Sequence, residues 1–452
     1  MNIIIVGCGK VGTTLAQQLR QENHDITIID TDRDKLEAAV GALDVQGVHG
    51  NGTSYRVLNE AGLEQADLLI AVTGHDERNM LSCLVARKAA QCHVIARVRD
   101  PGYYEDIDFI KDELGLSMVI NPEMAAATDM YRLLRIPSAL DVDTFDKSHV
   151  NMLRFKLEEG SPLIGKNMIE INGMLNGRML VCIREREGTI VIPYGNTELA
   201  AGDIISVIIP TNQLSSVLHQ LKMRQRPIRS AMIAGGSSTA EYLSYMLLQS
   251  GVDVKIIDWK RARCEELADR LPNAEIVCGD CGDKQLLAEE GLQKTESFVC
   301  LTNIDEVNIM LALYAAHISK AKVLTKVSKI EFEEVLDTLS LGSVVHPKNI
   351  TAETIIRYVR ALGNAKGNSA ETLYRLAEGK VEAMEFIVQP GSPITGKPIM
   401  NLHLKSNLLV CSINRGGKII APTGQDTIEV GDIVVIITTQ RGIRDLSDIV
   451  RS

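Results

Sequence analysis

The residues best suited to chemistry form a glycine-rich turn near the start of the chain. The apolar run Asn2-Ile3-Ile4-Ile5-Val6 leads directly into Gly7-Cys8-Gly9-Lys10-Val11-Gly12. In such a GxGxxG motif, the first glycine permits a tight turn and the second lets backbone N–H groups approach a pyrophosphate. The third lets the following helix pack closely on the sheet, and the N-terminus of that helix adds partial positive charge. The motif predicts a dinucleotide or adenine nucleotide site.

An acidic residue completes this motif. A second apolar run ends in Asp30, about 20 residues after the turn, where a carboxylate accepts hydrogen bonds from a ribose diol. Asp30 suits any ribose diol, so the pattern does not distinguish NAD, NADH, ATP and ADP. Lys10 either reaches a phosphate or stays solvated. The competing interpretation of the whole motif is an ordinary strand-to-helix turn.

Other polar residues follow later apolar runs. Thr73 and Gly74 come after the fourth predicted strand, at the edge where an open α/β sheet binds its ligands, and Asn51-Gly52-Thr53 follow the third. Arg97 and Arg99 are two apart on a predicted strand and therefore share a face. A strand buried on both faces accommodates two arginines only with partners, which would be either a phosphate or a carboxylate.

The elements that position these residues alternate between strand and helix as far as residue 134. The gaps between strands are long enough for crossover helices, which predicts a doubly wound, Rossmann-like parallel sheet. The predicted strands are Asn2–Val6, Asp25–Asp30, Val45–His49, Leu68–Val72, Val94–Arg99 and Met118–Ile120.

A second type of module covers residues 150–222. Short strands separated by glycine turns predict a small β-rich domain with few helical signals, followed by a basic connector at Lys222–Pro227. The predicted strands are Met152–Leu157, Met179–Ile183, Thr189–Ile192 and Ile204–Ile209.

The chain then repeats both modules, so it is a tandem duplication of one two-domain unit. The predicted domains are 1–135, 140–225, 228–362 and 370–452, of which the first two form the first half and the others the second half. The matching segments are Ile5-Val6-Gly7 with Ile233-Ala234-Gly235, Ile28-Ile29-Asp30 with Ile256-Ile257-Asp258, and Gly160-Ser161-Pro162 with Gly391-Ser392-Pro393. Such a duplication favours pairing of the equivalent domains and a two-fold or higher assembly.

The second half departs from the glycine motif. Gly235 and Asp258 are kept, Ala240 is tolerable in the last glycine position, and Ser237 replaces the second glycine. A side chain there obstructs close backbone approach, which predicts a degenerate site. A CxxC at residues 278–281 has no second ligand pair, so two ordinary thiols are expected rather than a metal site.

Composition excludes several classes of protein. The 452 residues carry a net charge of −10, which argues against nucleic-acid binding through clustered basic residues. No apolar stretch reaches the ~18 residues of a membrane-spanning helix, and the first residues lack the features of a signal peptide. The nine scattered cysteines indicate reduced thiols, and a cytoplasmic location is expected.

The duplicated unit, with its GSPxxGK and GD turns in each small module, resembles the regulator-of-potassium-conductance (RCK) domains. Two such units in tandem are similar to the regulatory proteins of Trk-type potassium uptake systems. The resemblance implies a non-enzymatic regulator that forms a homo-oligomeric ring at the inner face of the cell membrane, beneath a membrane potassium-translocating subunit of the Trk type. It also implies binding of NAD(H), with ATP or ADP as further ligands. The implied contacts are Gly7, Cys8, Gly9, Lys10 and Val11 with phosphates, Asp30 with ribose, and Thr73, Gly74 and Arg97 at the crevice. Gly12 of the first motif and Gly235 and Asp258 of the second half complete the predicted cofactor-binding residues.

Two other functions compete with this interpretation. An NAD-dependent oxidoreductase would need a general acid or base beside the nicotinamide and usually a substrate domain, whereas the partner module is small, β-rich and without a cluster of ionisable residues. A redox-sensing transcription factor would need a basic DNA-binding surface, which the acidic balance disfavours.

Overall fold

The computed structural model describes residues 1–100, 102–103, 106–145, 147–223, 227–328, 339, 341–363, 372–376, 380–440, 443 and 445–450. Three residues of the predicted basic connector, 224–226, and the predicted domain start at 370 lie outside this part of the chain. The chain forms two compact units. The parallel-sheet unit comprises Met1–Tyr131 and Ile228–Ile356, and the antiparallel-sheet unit comprises Arg132–Pro227 and Arg357–Ser452. Each unit therefore combines one domain from each half.

The first half begins with a six-stranded parallel sheet. Its strand order, β3-β2-β1-β4-β5-β6, reverses direction between β1 and β4, which confirms the predicted doubly wound topology. The strands are β1 (Asn2–Val6), β2 (Asp25–Asp30), β3 (Gln46–His49), β4 (Leu68–Ala71), β5 (His93–Arg97) and β6 (Met118–Ile120). The helices are α1 (Lys10–Gln21), α2 (Arg33–Leu43), α3 (Tyr55–Glu60), α4 (Asp76–Ala89), α5 (Ile107–Leu114) and α6 (Pro122–Arg135).

Apolar patterning explains this sheet. All of β4 and all of β1 after Asn2 are buried, as expected for central parallel strands that helices cover on both faces. Helix α1 buries Val11, Leu15 and Leu19, which recur every four residues and so form one stripe facing the sheet. One expectation was wrong: β5 ends at Arg97, so Arg99 lies beyond the strand rather than on it.

The small domain of the first half is a five-stranded antiparallel sheet in the order β10-β9-β11-β8-β7. It contains β7 (Asp141–Phe145), β8 (Val150–Lys156), α7 (Met168–Leu175), β9 (Leu180–Arg186), β10 (Thr189–Val191), β11 (Ile204–Pro210) and α8 (Leu214–Gln220). Strand β7 was not predicted, whereas the predicted β-rich character is confirmed: five strands accompany two short helices, α7 and α8. Helix α7 begins with a capping box in which Asn167 and Glu170 satisfy each other's backbone N–H groups.

The second half repeats both sheets. Its parallel sheet has the order β14-β13-β12-β15-β16-β17, equivalent strand by strand to the first. The elements are β12 (Ser230–Ala234), α9 (Ser238–Gln249), β13 (Asp253–Asp258), α10 (Arg261–Arg270), β14 (Glu275–Cys278), α11 (Lys284–Glu289), β15 (Ser297–Cys300), α12 (Asp305–Ile318), β16 (Lys322–Lys326), β17 (Ser343–Val345) and α13 (Pro347–Gly363).

The second antiparallel sheet also repeats its counterpart, in the order β18-β19-β22-β20-β21. Within the antiparallel-sheet unit the two small domains share a core, in which Met152 and Cys182 of the first half pack with Cys411 and Val435 of the second. The strands are β18 (Thr372–Leu376), β19 (Val381–Ile387), β20 (Leu408–Arg415), β21 (Lys418–Ile420) and β22 (Ile433–Thr438). The duplicated domains therefore pair with each other, as the sequence predicted.

Candidate functional site

A large cavity, of about 1290 Å³, lies within the parallel-sheet unit. It is bordered by the carboxyl ends of strands from both parallel sheets, where open α/β sheets bind ligands. The predicted site residues Gly7, Gly9, Lys10, Val11, Asp30, Thr73, Gly74, Arg97, Gly235 and Asp258 all line it. The cavity therefore brings together the sites of both halves, which the sequence predicted separately.

The turn after β1 requires glycine at its first and last motif positions. Gly7 has a φ of +112°, in a region that side chains disfavour. A Cβ atom on Gly12 would lie 1.9 Å from the carbonyl oxygen of Gly7, so only glycine allows α1 to pack against the turn. These two residues hold the start of α1 at the edge of the cavity.

Gly9, between them, leaves this helix end open. It is the N-cap residue of α1, and the helix has no side-chain cap. A Cβ atom on Gly9 would meet no protein atom within 4 Å. Because the first N–H groups of a helix lack intrahelical acceptors, this turn can offer them to an anion, and the exposed side chain of Lys10 follows immediately.

Asp30 has a second role that the sequence did not reveal. One of its carboxylate oxygens accepts from the backbone N–H of Cys8 at 2.5 Å, and the other accepts from the N–H of Asp32 at 2.8 Å. The carboxylate thus clamps the glycine turn to the end of β2. It is only half-buried and has acceptor capacity left for a ribose. Burial, reinforced by the negative charge of Asp30, raises the pKa of the Cys8 thiol.

Thr73 is held by a buried asparagine, Asn79, whose role the sequence did not reveal. Its backbone N–H and its hydroxyl both contact Asn79 Oδ1, at 2.8 and 2.7 Å. The Asn79 amide in turn donates to the carbonyl oxygen of Arg97 at 2.9 Å. Asn79 therefore links the ends of β4 and β5 and fixes the loop that borders the cavity.

The two arginines have acidic neighbours. An Arg97 guanidinium nitrogen lies 3.4 Å from Glu123 Oε1, and Arg99 Nε lies 3.5 Å from Asp76 Oδ1. A different guanidinium nitrogen of Arg99, Nη2, donates to the carbonyl oxygen of Gly74. Burial lowers the pKa of Arg97 from its usual value, although the charge of Glu123 opposes this. The sequence predicted either a phosphate or a carboxylate as partner of these arginines, and each of them lies beside a carboxylate, Glu123 or Asp76. Glu123 follows β6 at the same sheet edge, and that position was the signal available to find it.

The second turn reproduces the clamp but not the open helix. Asp258 accepts from the N–H groups of Gly236 and Lys260 at 2.7 and 2.8 Å, as Asp30 does in the first half. Ser237 is the N-cap residue of α9, and its side chain accepts from the N–H of Ala240 at 3.4 Å. One helix N–H that stays available in the first turn is thus occupied in the second.

Paired charges also cover the second turn. Arg263 Nε donates to the carbonyl of Gly236 at 2.7 Å, and its guanidinium contacts Glu241 at 2.6 Å and Glu266 at 2.8 Å. Lys326 takes the place of Arg97 on the last residue of β16 and is 8% exposed. Burial lowers the pKa of Lys326, although attraction to Glu123 and Asp305 opposes this.

A tyrosine joins the two halves beside the cavity. Tyr242, which is 8% exposed, accepts from the side-chain amide of Asn121 at 2.9 Å and donates to the carbonyl of Arg99 at 3.2 Å. The attachment of Arg99 to the second half means that a ligand acting on this loop would also act on the contact between halves.

Family models for two domains match most of the chain. The TrkA-N domain matches residues 3–122 and 231–347, and the TrkA-C domain matches residues 152–222 and 383–451. The chain belongs to the TrkA family. The alternation of TrkA-N and TrkA-C domains confirms the predicted duplication and the predicted resemblance.

Named TrkA relatives match along their whole length. The Trk system potassium uptake protein TrkA homolog of Archaeoglobus fulgidus is 31% identical over 453 residues, which cover 100% of each chain. The Trk system potassium uptake protein TrkA of Halomonas elongata is 32% identical over 457 residues, covering 99% of this chain and 98% of that protein. The similarity therefore extends through all four predicted domains.

Solved structures of RCK proteins share the fold of this TrkA chain. The GsuK channel bound to NAD superposes with a TM-score of 0.64 at 18% identity, covering 97% of this chain and 77% of that one. GsuK bound to ADP superposes with a TM-score of 0.51 at 16% identity, covering 80% of this chain and 69% of that one. At sequence identities this low, the structural similarity establishes the fold alone.

Among the described residues, no helix has the length and apolar character to cross a membrane, and no three His, Cys, Asp or Glu side chains converge as metal ligands. All nine cysteines are unpaired thiols, including the CxxC pair. Burial raises the pKa of Cys281 to about 11, so this thiol stays protonated at neutral pH.

Proposed function

We propose that this TrkA chain is a nucleotide-sensing regulatory subunit of a potassium uptake system, which gates a membrane potassium-translocating subunit from the cytoplasmic side. The observation that carries the nucleotide part is the open, uncapped start of α1 at the edge of a large cavity. Full-length similarity to proteins named for potassium uptake supports the transport part.

The first half would hold a dinucleotide. Its pyrophosphate would lie against the backbone N–H groups of Gly9, Lys10 and Val11, where the positive end of α1 favours negative charge. Asp30 would accept from a ribose hydroxyl while it keeps its bonds to the turn. The remaining proposed contacts of this half are Gly7, Cys8, Gly12, Thr73, Gly74 and Arg97, and those of the second half are Gly235 and Asp258.

NAD(H) is the ligand we propose for this site, with ATP or ADP as further ligands. All of them carry the ribose and phosphates that Asp30 and the helix end would recognise. The same fold is known with NAD bound and with ADP bound in GsuK, which supports both kinds of ligand.

Regulation would follow from the position of the cavity between the two halves. A ligand changes a conformational equilibrium only by the difference in its affinity for the two states. Arg97 belongs to the first half and Lys326 to the second, and both line the cavity. A nucleotide in contact with both would therefore favour one arrangement of the halves. A homo-oligomeric ring of these chains would transmit that change to the membrane subunit.

Flux measurements test this proposal directly. The Trk-type membrane subunit is reconstituted in vesicles with the full chain, and potassium flux is followed with NADH, NAD, ADP or ATP. We expect flux to depend on both the chain and the nucleotide. Gly9→Asp, which places a carboxylate where the phosphates would bind, should remove the nucleotide response while the chain still binds the membrane subunit. Potassium flux that changes neither with the chain nor with the nucleotide would refute the proposal.

We also propose that the chain has no catalytic activity of its own. The measurement is oxidation of NADH in the presence of plausible carbonyl substrates, followed by absorbance. Absence of turnover under conditions where NADH binds is the expected result, and robust turnover would support the oxidoreductase alternative instead.

A further inference from the structure

Two cysteine thiols meet at the outer edge of the second parallel sheet, Cys264 on α10 and Cys278 at the end of β14. The strand register places Cys278 beside Asp258, the last residue of β13. Cys264 Sγ lies over the ends of both strands, 3.2 Å from the carbonyl oxygen of Asp258 and 4.0 Å from that of Val277. Cys264 and Cys278 share a side-chain hydrogen bond, which brings their two sulfur atoms together.

The two thiols differ in their access to solvent. Cys278 is exposed, whereas the other cysteines of the chain are buried, and Cys264 is 6% exposed. Burial, followed by the hydrogen bond to Cys278, raises the pKa of Cys264 to about 11, so this thiol stays protonated at neutral pH. Oxidants react with accessible thiols, and a disulfide follows when a second thiol lies next to the oxidised one. Cys278 is therefore the thiol that an oxidant reaches, and Cys264 is in place to react with the product.

This pair differs from the CxxC motif, and the first half does not share it. Cys281, the other cysteine of the CxxC, packs in the hydrophobic core of the second parallel sheet. In the first half, Leu36 and His49 occupy the positions that match Cys264 and Cys278. The paired thiols are thus a feature of the second half alone.

We propose that Cys278 and Cys264 form a reversible disulfide when the chain meets hydrogen peroxide, so that the second half carries a redox-sensitive modification site. First, the Cys278 thiolate attacks one peroxide oxygen and the O–O bond breaks. The hydroxide takes up the proton that Cys278 released and leaves as water, and Cys278 becomes a sulfenic acid. The Cys264 sulfur then attacks the sulfenic sulfur. The S–S bond forms, the S–O bond breaks, and the hydroxide leaves as a second water with the proton of Cys264.

The electrons balance in this sequence of steps. The two thiols lose two electrons and two protons, and one molecule of hydrogen peroxide is reduced to two of water. A thiol reductant such as dithiothreitol restores both thiols by exchange.

The disulfide would join α10 to the end of β14. Cys264 would no longer donate to the carbonyl of Asp258, and the loop after β14, from which Asp280 and Cys281 line the cavity, would be tied to the helix. Amide hydrogen exchange of residues 279–283 should therefore slow in the oxidised wild-type chain and stay unchanged in Cys264→Ser treated in the same way.

Peptide mapping after oxidation tests the proposal. The reduced full-length chain is treated with hydrogen peroxide, its remaining thiols are blocked with N-ethylmaleimide, and it is digested with trypsin. Cleavage after arginine and lysine places Cys264 in peptide 264–270 and Cys278 in peptide 271–284. We expect a disulfide between these two peptides, which fragmentation assigns to Cys278 rather than Cys281 and which dithiothreitol opens.

Cys182 and Cys411 provide a matched control within the same chain. Their side chains also share a hydrogen bond, but Cys182 is 0% exposed and Cys411 is 1% exposed. Because access to the oxidant should decide which pair reacts, the peptides that contain them, 179–184 and 406–415, should stay unlinked in the folded chain.

Variants separate the roles of the two thiols. Cys264→Ser should leave Cys278 as a sulfenic acid that reacts with dimedone, Cys278→Ser should leave Cys264 as a thiol, and Cys281→Ser should still form the disulfide. Three results would overturn the inference: a disulfide within peptide 271–284 in place of the predicted one, oxidation of Cys182 and Cys411 to the same extent, or a wild-type Cys264 that stays a thiol after Cys278 is oxidised.

Discussion

The two glycine turns of this chain share a backbone design and differ in what they leave free. In both, an aspartate at the end of the second strand accepts from the turn and from the residue two positions after itself. In both, an asparagine on a following helix ties the neighbouring loop, Asn79 to Thr73 and Asn308 to Thr302. The first helix end is open and the second is capped by Ser237. The clamp is thus common to both halves, whereas the open helix end, which we propose binds a nucleotide, is found in the first turn.

The last position of the glycine motif, Gly12 in the first half and Ala240 in the second, should show the largest difference between the halves in the stability lost on substitution. Gly12→Ala places a Cβ 1.9 Å from the carbonyl oxygen of Gly7, and forcing that overlap should cost about 3 kcal/mol of unfolding free energy. The second half already has Ala240 there, and Ala240→Gly should cost about 1 kcal/mol through loss of helix propensity. Urea unfolding of both variants measures the difference. Equal losses would show that the two turns do not pack as described.

Replacing the clamping aspartate in each half should lower stability in both halves but should affect NADH binding differently. Asp30→Ala and Asp258→Ala each leave two backbone N–H groups without their acceptor, so each should lower the unfolding free energy by about 2 kcal/mol. Asp30→Ala should also weaken NADH binding, and more strongly than Asp258→Ala does, as measured by calorimetry on the folded variants. A much smaller stability loss for Asp258→Ala would mean that the clamp is not common to both halves.

Exchanging the cap residues should produce smaller effects of opposite kinds. Ser237→Ala removes the cap of α9 and should cost about 1 kcal/mol in urea unfolding. Gly9→Ser should leave stability unchanged or slightly higher, because a Cβ at Gly9 meets no protein atom within 4 Å. It should also weaken NADH binding about fivefold, since the new hydroxyl would occupy an N–H group. If Gly9→Ser binds NADH with unaltered affinity, a serine cap at this position does not hinder nucleotide binding, and Ser237 does not explain a difference between the halves.

The smallest expected effect is the pH dependence of stability that comes from Lys326, the second-half counterpart of Arg97. Burial lowers the pKa of Lys326, and attraction to Glu123 and Asp305 opposes this shift. With the folded pKa below the unfolded one, the unfolded chain binds more protons between the two values, so stability rises with pH through that interval. Lys326→Met should therefore be at least as stable as the parent near pH 7, with any advantage shrinking toward the unfolded lysine pKa of about 10.4. Unfolding at both pH values checks this, and an advantage that grows with pH would contradict it.

The sequence predicted the sheets better than the side-chain partners. Central parallel strands buried on both faces produce continuous apolar runs, so β1 and β4 were visible as strands. The partners of Asp30 and Arg97 were not, because Cys8 and Glu123 are brought to them only by the tertiary fold. Ser237 was expected to obstruct a ligand, and whether its rotamer would instead cap the helix depends on local geometry that the residue type does not define.

Helix α7 and the merging of the two sites in one cavity were not predicted from the sequence. Helix α7 carries a readable capping box, Asn167 with Glu170, but the surrounding short strands dominated the pattern. The merging of both sites in one cavity depends on how the duplicated domains pair, for example through Tyr242 and Asn121, which are 121 residues apart in the sequence. Duplication predicted that pairing would occur but not which edges would meet.

The most direct test of the account is a calorimetric titration of NADH into the wild-type chain, Gly9→Asp and Ser237→Asp. The account predicts that wild type binds NADH, that Gly9→Asp binds it at least about 100-fold more weakly because a carboxylate then occupies and repels the phosphate position, and that Ser237→Asp retains the wild-type affinity. NADH binding that survives Gly9→Asp and is lost in Ser237→Asp would contradict the assignment of the dinucleotide to the first half.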